Sequence, residues 1–163
     1  MADVLIRQVE AADLDACLRV EHASFPPAEA ATRGSIATRI ERFPQGFLVA
    51  VADGQVAGLV NSGAADNPDL ADEAFKALDG HSADGAALVI FSVAVLPELR
   101  RRGIAARLLE AFIARARQAG RRRVLLLCKP ELVAYYARFG FVDAGLSASR
   151  HGGAAWHEMR LVL

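Results

Sequence analysis

The chain has 163 residues, 53% hydrophobic and 23% charged, a length at which one core can bury roughly two thirds of the unfolded surface. Lys and Arg together number 19, as do Asp and Glu. The net charge is therefore zero, which excludes any bulk attraction to nucleic acid or an anionic membrane. Two cysteines, Cys17 and Cys128, are too few and too far apart for a disulfide framework or a thiolate metal site, and a reducing cytoplasm is the expected setting.

The opening MADVLIRQVE has no basic segment leading into an apolar one, and no apolar run approaches the ~18 residues of a membrane helix. An untargeted, soluble protein is expected. Residues 4–9 read as a strand. From Ala11 to Ala23, Leu14, Cys17 and Leu18 share one helical face. After the turn at Phe25-Pro26-Pro27 a second helix is expected over 28–42, interrupted by Gly34. Residues 47–52 and 55–62 read as strands joined at Asp53-Gly54, a hairpin signal. A polar loop with a short helix near 69–79 follows.

The stretch 86–95 (AALVIFSVAV) is apolar on both faces, as a central strand should be, and Pro97 ends it. From Gly103 to Ala119, Ile104, Leu108, Leu109, Phe112, Ile113 and Ala116 recur at helical spacing until Gly120. A strand at 122–128, a short helix at 131–138 and two closing strands at 141–148 and 155–162 complete the order. No repeat or linker divides the chain, so one domain over 1–163 is expected, with an α/β (α+β mixed) fold: a central mixed β-sheet flanked by helices.

The junction "SVAVLPELRRRGIAARLLEAF" (92–112) carries a chemical reading. A buried strand feeding a helix leaves the first helical amides without intrahelical partners, and the helix dipole favours negative charge there. Gly103 permits close backbone approach, Ala105 and Ala106 leave room for a phosphate, and the arginines at 100–102 add diffuse positive potential. Neither G-x-x-x-x-G-K-[ST] nor G-x-G-x-x-G is present, which sets aside the common nucleotide loops.

Arg100-x-x-Gly103-x-Ala105, following a strand and a proline, resembles the pyrophosphate loop of the GNAT N-acetyltransferase superfamily. The element order resembles that family over nearly the whole chain. "LCKPELVAYYARFGF" (127–141) resembles its late helix, whose tyrosine faces the coenzyme sulfur. "SFPPAEAAT" (24–32) and "EM" (158–159) look like the arylalkylamine N-acetyltransferase branch.

The resemblance implies acetyl-CoA as cosubstrate. Backbone groups of Val93 and Val95 would meet the pantetheine and acetyl carbonyl, and amides of Arg101, Arg102, Gly103, Ile104, Ala105 and Ala106 would hold the pyrophosphate. A backbone amide aimed at the thioester oxygen would stabilise a tetrahedral intermediate. Tyr136 aligns with the acid that protonates the departing thiolate, although a phenol near ~10 giving a proton to a thiolate near ~8.5 is uphill by roughly 2 kcal/mol; Tyr135 reads as core.

The resemblance implies a small-molecule or peptide amine as acceptor. An alkylamine near ~10.4 is deprotonated only to about one part in a few thousand at pH 7, so a base is useful. The branch's two histidine positions fall here on Val89 and Phe91, which take no proton. Glu21 is the substitute base this resemblance allows, with His22, Glu29 and a water relay through Ser92 as alternatives.

Cys128 near the thioester reads as a buried apolar residue, since no histidine accompanies it in sequence. His81, His151 and His157 lack metal spacing, and no metal is assigned. Phe25, Pro26 and Phe91 suit an aromatic-amine pocket or a core. A catalytically degenerate domain that senses CoA is the rival reading, and a nucleic-acid binder is disfavoured by the neutral charge and the absence of interleaved aromatics. Monomer and homodimer both remain open.

Overall fold

The computed structural model describes residues 3–163. Its elements are β1 (Val4–Gln8), α1 (Leu14–Ser24), α2 (Arg33–Arg42), β2 (Phe47–Ala52), β3 (Gln55–Ala65), β4 (Ala87–Val95), α3 (Ile104–Gln118), β5 (Arg123–Cys128), α4 (Val133–Ala137), β6 (Val142–Leu146) and β7 (His157–Val162). The strands form one seven-stranded sheet in the order β1-β2-β3-β4-β5-β7-β6. Antiparallel pairing of β1-β2-β3 and β5-β7-β6 with a parallel β4-β5 ladder makes it the mixed sheet expected. The residues cluster into two compact units, Met1–Ser62 with Ser92–Phe112, and Gly63–Phe91 with Ile113–Leu163.

In the first unit, Val20, Ile36, Phe47, Val49 and Leu59 form the centre of a buried apolar cluster. The hairpin forms as expected, with Asp53 and Gly54 at φ 53° and 74°, the left-handed pair that a two-residue turn needs. The first predicted helix starts later, because residues 11–13 are a 3-10 turn. There the Asp13 carboxylate accepts the Glu10 amide at 2.7 Å and pairs with the Arg7 guanidinium at 2.8 and 3.0 Å. The second helix starts at Arg33, not residue 28: the amides of Glu29 and Ala30 close onto the Pro26 carbonyl, and the Thr32 hydroxyl caps the helix by accepting the Ser35 amide at 3.1 Å. Gly34 falls in the first turn and interrupts nothing.

In the second unit a cluster of Leu70, Phe75, Ala87, Val89 and Leu125 underlies the sheet. The helix expected near 69–79 is a 3-10 segment, Glu73–Ala77, started by the Asp72 carboxylate on the Ala74 amide and stopped by Leu78 at φ 65°. The strand expected to end at 62 runs to Ala65. A Cβ at Gly63 would sit 2.9 Å from the Phe91 ring and 3.2 Å from that of Phe75. The glycine is there for aromatic room within a strand. The helix after β5 is split into a 3-10 turn, Pro130–Leu132, and the short α4. A further 3-10 turn, His151–Gly153, was not legible.

Candidate functional site

The first unit holds the strand-to-helix junction. After β4 a 3-10 turn at Pro97–Leu99 leads to Arg101 at φ 65° and Gly103 at φ 76°, and α3 starts at Ile104. Left-handed residues are also a feature of the backbone nests that bind anions. The Arg107 amide is the one that closes onto the Gly103 carbonyl, at 3.1 Å. The amides of Ile104, Ala105 and Ala106 therefore precede the helical ladder. No acidic residue occupies the first turn, and nothing lies within 4 Å of where a Gly103 Cβ would be. The space and the polarity both fit a diphosphate.

Residues alternate sides along β4. The Leu96 amide donates to the Ala57 carbonyl at 2.8 Å, and the Ala94 carbonyl lies 2.9 Å from a Cβ built on Gly58. The main-chain groups of Val93 and Val95 thus point away from β3. The Val95 carbonyl is already engaged, accepting from Ser24 Oγ and Arg100 Nε, both at 3.3 Å. Arg100, read as a source of diffuse potential, ties the loop to the strand end.

Glu21 is 2% exposed. Its Oε2 accepts the Ala31 amide at 2.9 Å, whereas Oε1 is buried with no hydrogen-bond partner. His22 donates from Nε2 to the Ala31 carbonyl at 3.0 Å, so adjacent residues of α1 hold both main-chain polar groups of one loop residue. Arg39 is 3% exposed and donates to Asn61 Oδ1 at 3.2 Å; burial pulls its pKa down to about 10 against the charge of Glu21. Sequence reasoning missed Arg39, although it sits in the Ile36-Arg39-Ile40 stripe where an apolar residue belongs. Glu29 is half-buried and Ser92 is buried.

The second unit holds Tyr136, 9% exposed, with its ring edge-on to Tyr135 at 5.3 Å and Phe141 at 5.9 Å. Burial, then the neighbouring Cys128, raises its phenol well above the ordinary value. Cys128 is 2% exposed, and burial, with Asp143 and Glu131, pushes its thiol up to about 11. No histidine is near Cys128 in sequence, but strand pairing sets His157 directly opposite it. The His157 Nδ1–H donates to the Asp143 carboxylate at 3.1 and 3.2 Å.

Val89, 5% exposed, belongs to the apolar cluster, and Phe91 meets Phe75 edge-on at 5.6 Å. The positions of the branch's histidines are thus packing positions here. Among the described residues no group of three or more His, Cys, Asp or Glu comes together to hold a metal, and no helix is long and apolar enough to cross a membrane.

A seven-stranded mixed sheet with a left-handed loop ahead of α3 defines a mixed α/β class of fold. Residues 13–141 match the Acetyltransferase (GNAT) family, and the chain belongs to it. The fold is similar to the loading GNATL domain of CurA from Lyngbya majuscula, with a TM-score of 0.88, 19% identity and 98% of each chain covered. It is also similar to the GphF GNAT-like decarboxylase in complex with isobutyryl-CoA, with a TM-score of 0.85, 20% identity and 97% and 98% covered. A probable glucosamine 6-phosphate N-acetyltransferase from Oryza sativa subsp. japonica is 45% identical over 47 residues, covering 29% of this chain and 28% of that protein. The chain spans about a quarter of the length of the curated relatives it matches, 25% and 28%.

Proposed function

We propose that the chain acts as a single, cytoplasmic GNAT domain that transfers acetyl from acetyl-CoA to a primary amine by direct attack on the thioester. The observation that carries this reading is the loop from Arg101 to Ala106, where two left-handed residues and three amides ahead of the α3 ladder suit a diphosphate. The family membership and the CoA-bound relative support it. Val93 and the Val95 amide would serve the pantetheine, since the Val95 carbonyl is taken. Holding donor and acceptor together supplies several kcal/mol of the rate.

Tyr136 would stabilise the departing sulfur by donating a hydrogen bond, and its raised phenol keeps that donor present at every physiological pH. Glu21 would serve as base through its unpartnered Oε1, reached by a relayed water. An amine is supported as acceptor by the rice relative, and an arylalkylamine by the short motif at 24–32. A CoA-binding sensor is the second reading, favoured by the apolar packing of Val89 and Phe91.

Calorimetry with acetyl-CoA, followed by thiol release with aryl, polyamine and peptide amines, tests both. Micromolar binding with amine-dependent release is expected, and Tyr136→Phe should lower kcat without weakening CoA binding. Binding without release would leave the sensor, and no binding would end both readings.

A further inference from the structure

Asp143 and His157 form a dyad that the local backbone builds. The β6–β7 register shifts between Asp143 and Leu146. At that bulge Gly145 adopts φ 98°, and its amide donates to Asp143 Oδ1 at 2.8 Å. The carboxylate is thereby aimed by its own strand before it meets the ring, and bulges commonly re-aim side chains in this way. With Nδ1–H committed to the carboxylate, Nε2 is the nitrogen left to exchange a proton.

Strand alternation says which face the ring occupies. His157 opposes Cys128, and Met159 opposes Leu126. These pairs share one face of the sheet, the opposite of that taken by Leu125 and the apolar cluster with Val89. The helix that carries Tyr136, α4, packs against β6 and β7, the two strands that carry the dyad. The dyad therefore lies on the strands beside the residue that aligns with the leaving-group donor, and on the face opposite Val89.

We infer that His157, its ring set by Asp143, is the proton donor to the sulfur that leaves in acetyl transfer, an inference that rests on the transfer reading above. The neutral amine nitrogen attacks the acetyl carbon, the C–N bond forms, and the carbonyl π pair moves to oxygen. The pair returns, the C–S bond breaks, and sulfur departs with the electrons. Nitrogen loses one proton to solvent, and His157 Nε2–H gives one to sulfur and recovers it from solvent. By reference values an imidazolium (~6.5) is a stronger acid than a thiol (~8.5), whereas a phenol (~10) is a weaker one. Burial makes the Tyr136 phenol a weaker acid still. Cys128, its thiol held protonated by burial, does not compete for the ring.

The test compares wild type with His157→Gln and Asp143→Asn. The ionisable groups at the ring are Asp143 from β6 and Cys128 from β5, with Tyr136 on the adjoining α4, while Glu158, next along β7, points to the other face, where its carboxylate accepts from Arg160 Nε at 2.8 Å. His157→Gln should lower kcat at least tenfold with the KM for acetyl-CoA within twofold, and the alkaline limb of the pH profile should vanish. Asp143→Asn should lower kcat severalfold. With an acetyl thioester of a nitro-substituted aryl thiol, whose sulfur leaves without help, the deficit should shrink to under threefold. A kcat within twofold of wild type, or equal deficits with both donors, would overturn the dyad alone. If His157→Gln lost its CoA affinity, Asp143→Asn and the donor comparison would decide by the same criteria. A wild type that transfers nothing would overturn the underlying reading and the dyad with it.

Discussion

Around Gly103 the groups offered to a ligand are main-chain amides, contributed by consecutive residues and aimed by two positive φ angles. Around His157 they are side chains, brought together from β5, β6 and β7 by strand register. The first arrangement tolerates almost any side chain provided the backbone can turn. The second depends on each side chain and on a bulge that no single stretch of sequence spells out. A site made of peptide groups is written locally; one made of side chains is written in pairings.

Glu21 puts the largest strain on that contrast, because it serves the first unit entirely through its side chain. Glu21→Gln removes the buried negative charge that favours the charged form of the buried Arg39, and should lower stability. Urea unfolding at pH 7 should register that loss. In the same variant an acidic limb of kcat/KM that does not move would remove Glu21 as the base while leaving it the clamp on Ala31.

The loop offers the next effect. Gly103→Val should raise the Kd for CoA about five- to thirtyfold by calorimetry, although its Cβ would meet nothing within 4 Å. The cause is conformational, about 1–2 kcal/mol for an L-residue held left-handed. Arg101→Gly, at φ 65°, should instead stabilise the fold by about 1 kcal/mol and keep CoA affinity within threefold. A tenfold loss there would mean that the guanidinium, not the amide, binds the ligand.

The smallest effect at neutral pH concerns the two thiols, one in each unit. Burial pushes Cys17 up to about 12 and Cys128 up to about 11. A raised acid holds its proton in the folded state after the unfolded state has lost it. The stability it contributes is thus complete below the ordinary thiol value of 9.0 and fades as pH rises through 11 and 12. Unfolding at stepped pH should show that decline, and iodoacetamide at pH 8 should modify neither cysteine of the native protein within an hour. Rapid alkylation of Cys128 would show that its end of β5 is open.

The order of strands and helices was legible because apolar periodicity and the turn residues Asp53-Gly54, Pro97 and Gly120 are local. Where local chemistry was subtler, boundaries moved: Thr32 claims the Ser35 amide and delays α2, and Gly63 marks aromatic packing within β3. The loop at Gly103 was legible for the same local reason. Arg39 was within reach, as a cation in an apolar stripe. The partnership of His157 with Asp143 and Cys128 was not, since it needs the pairing of three strands and the extra residues of a bulge.

One main-chain oxygen, that of Val95, is shared between Ser24 at the end of α1 and Arg100 at the start of the loop. Those two segments are therefore geared through a single atom. If α1 withdraws its hydroxyl, Arg100 alone fastens the turn that precedes Gly103, and the stiffness of the anion cradle becomes a property of a helix that never touches the anion.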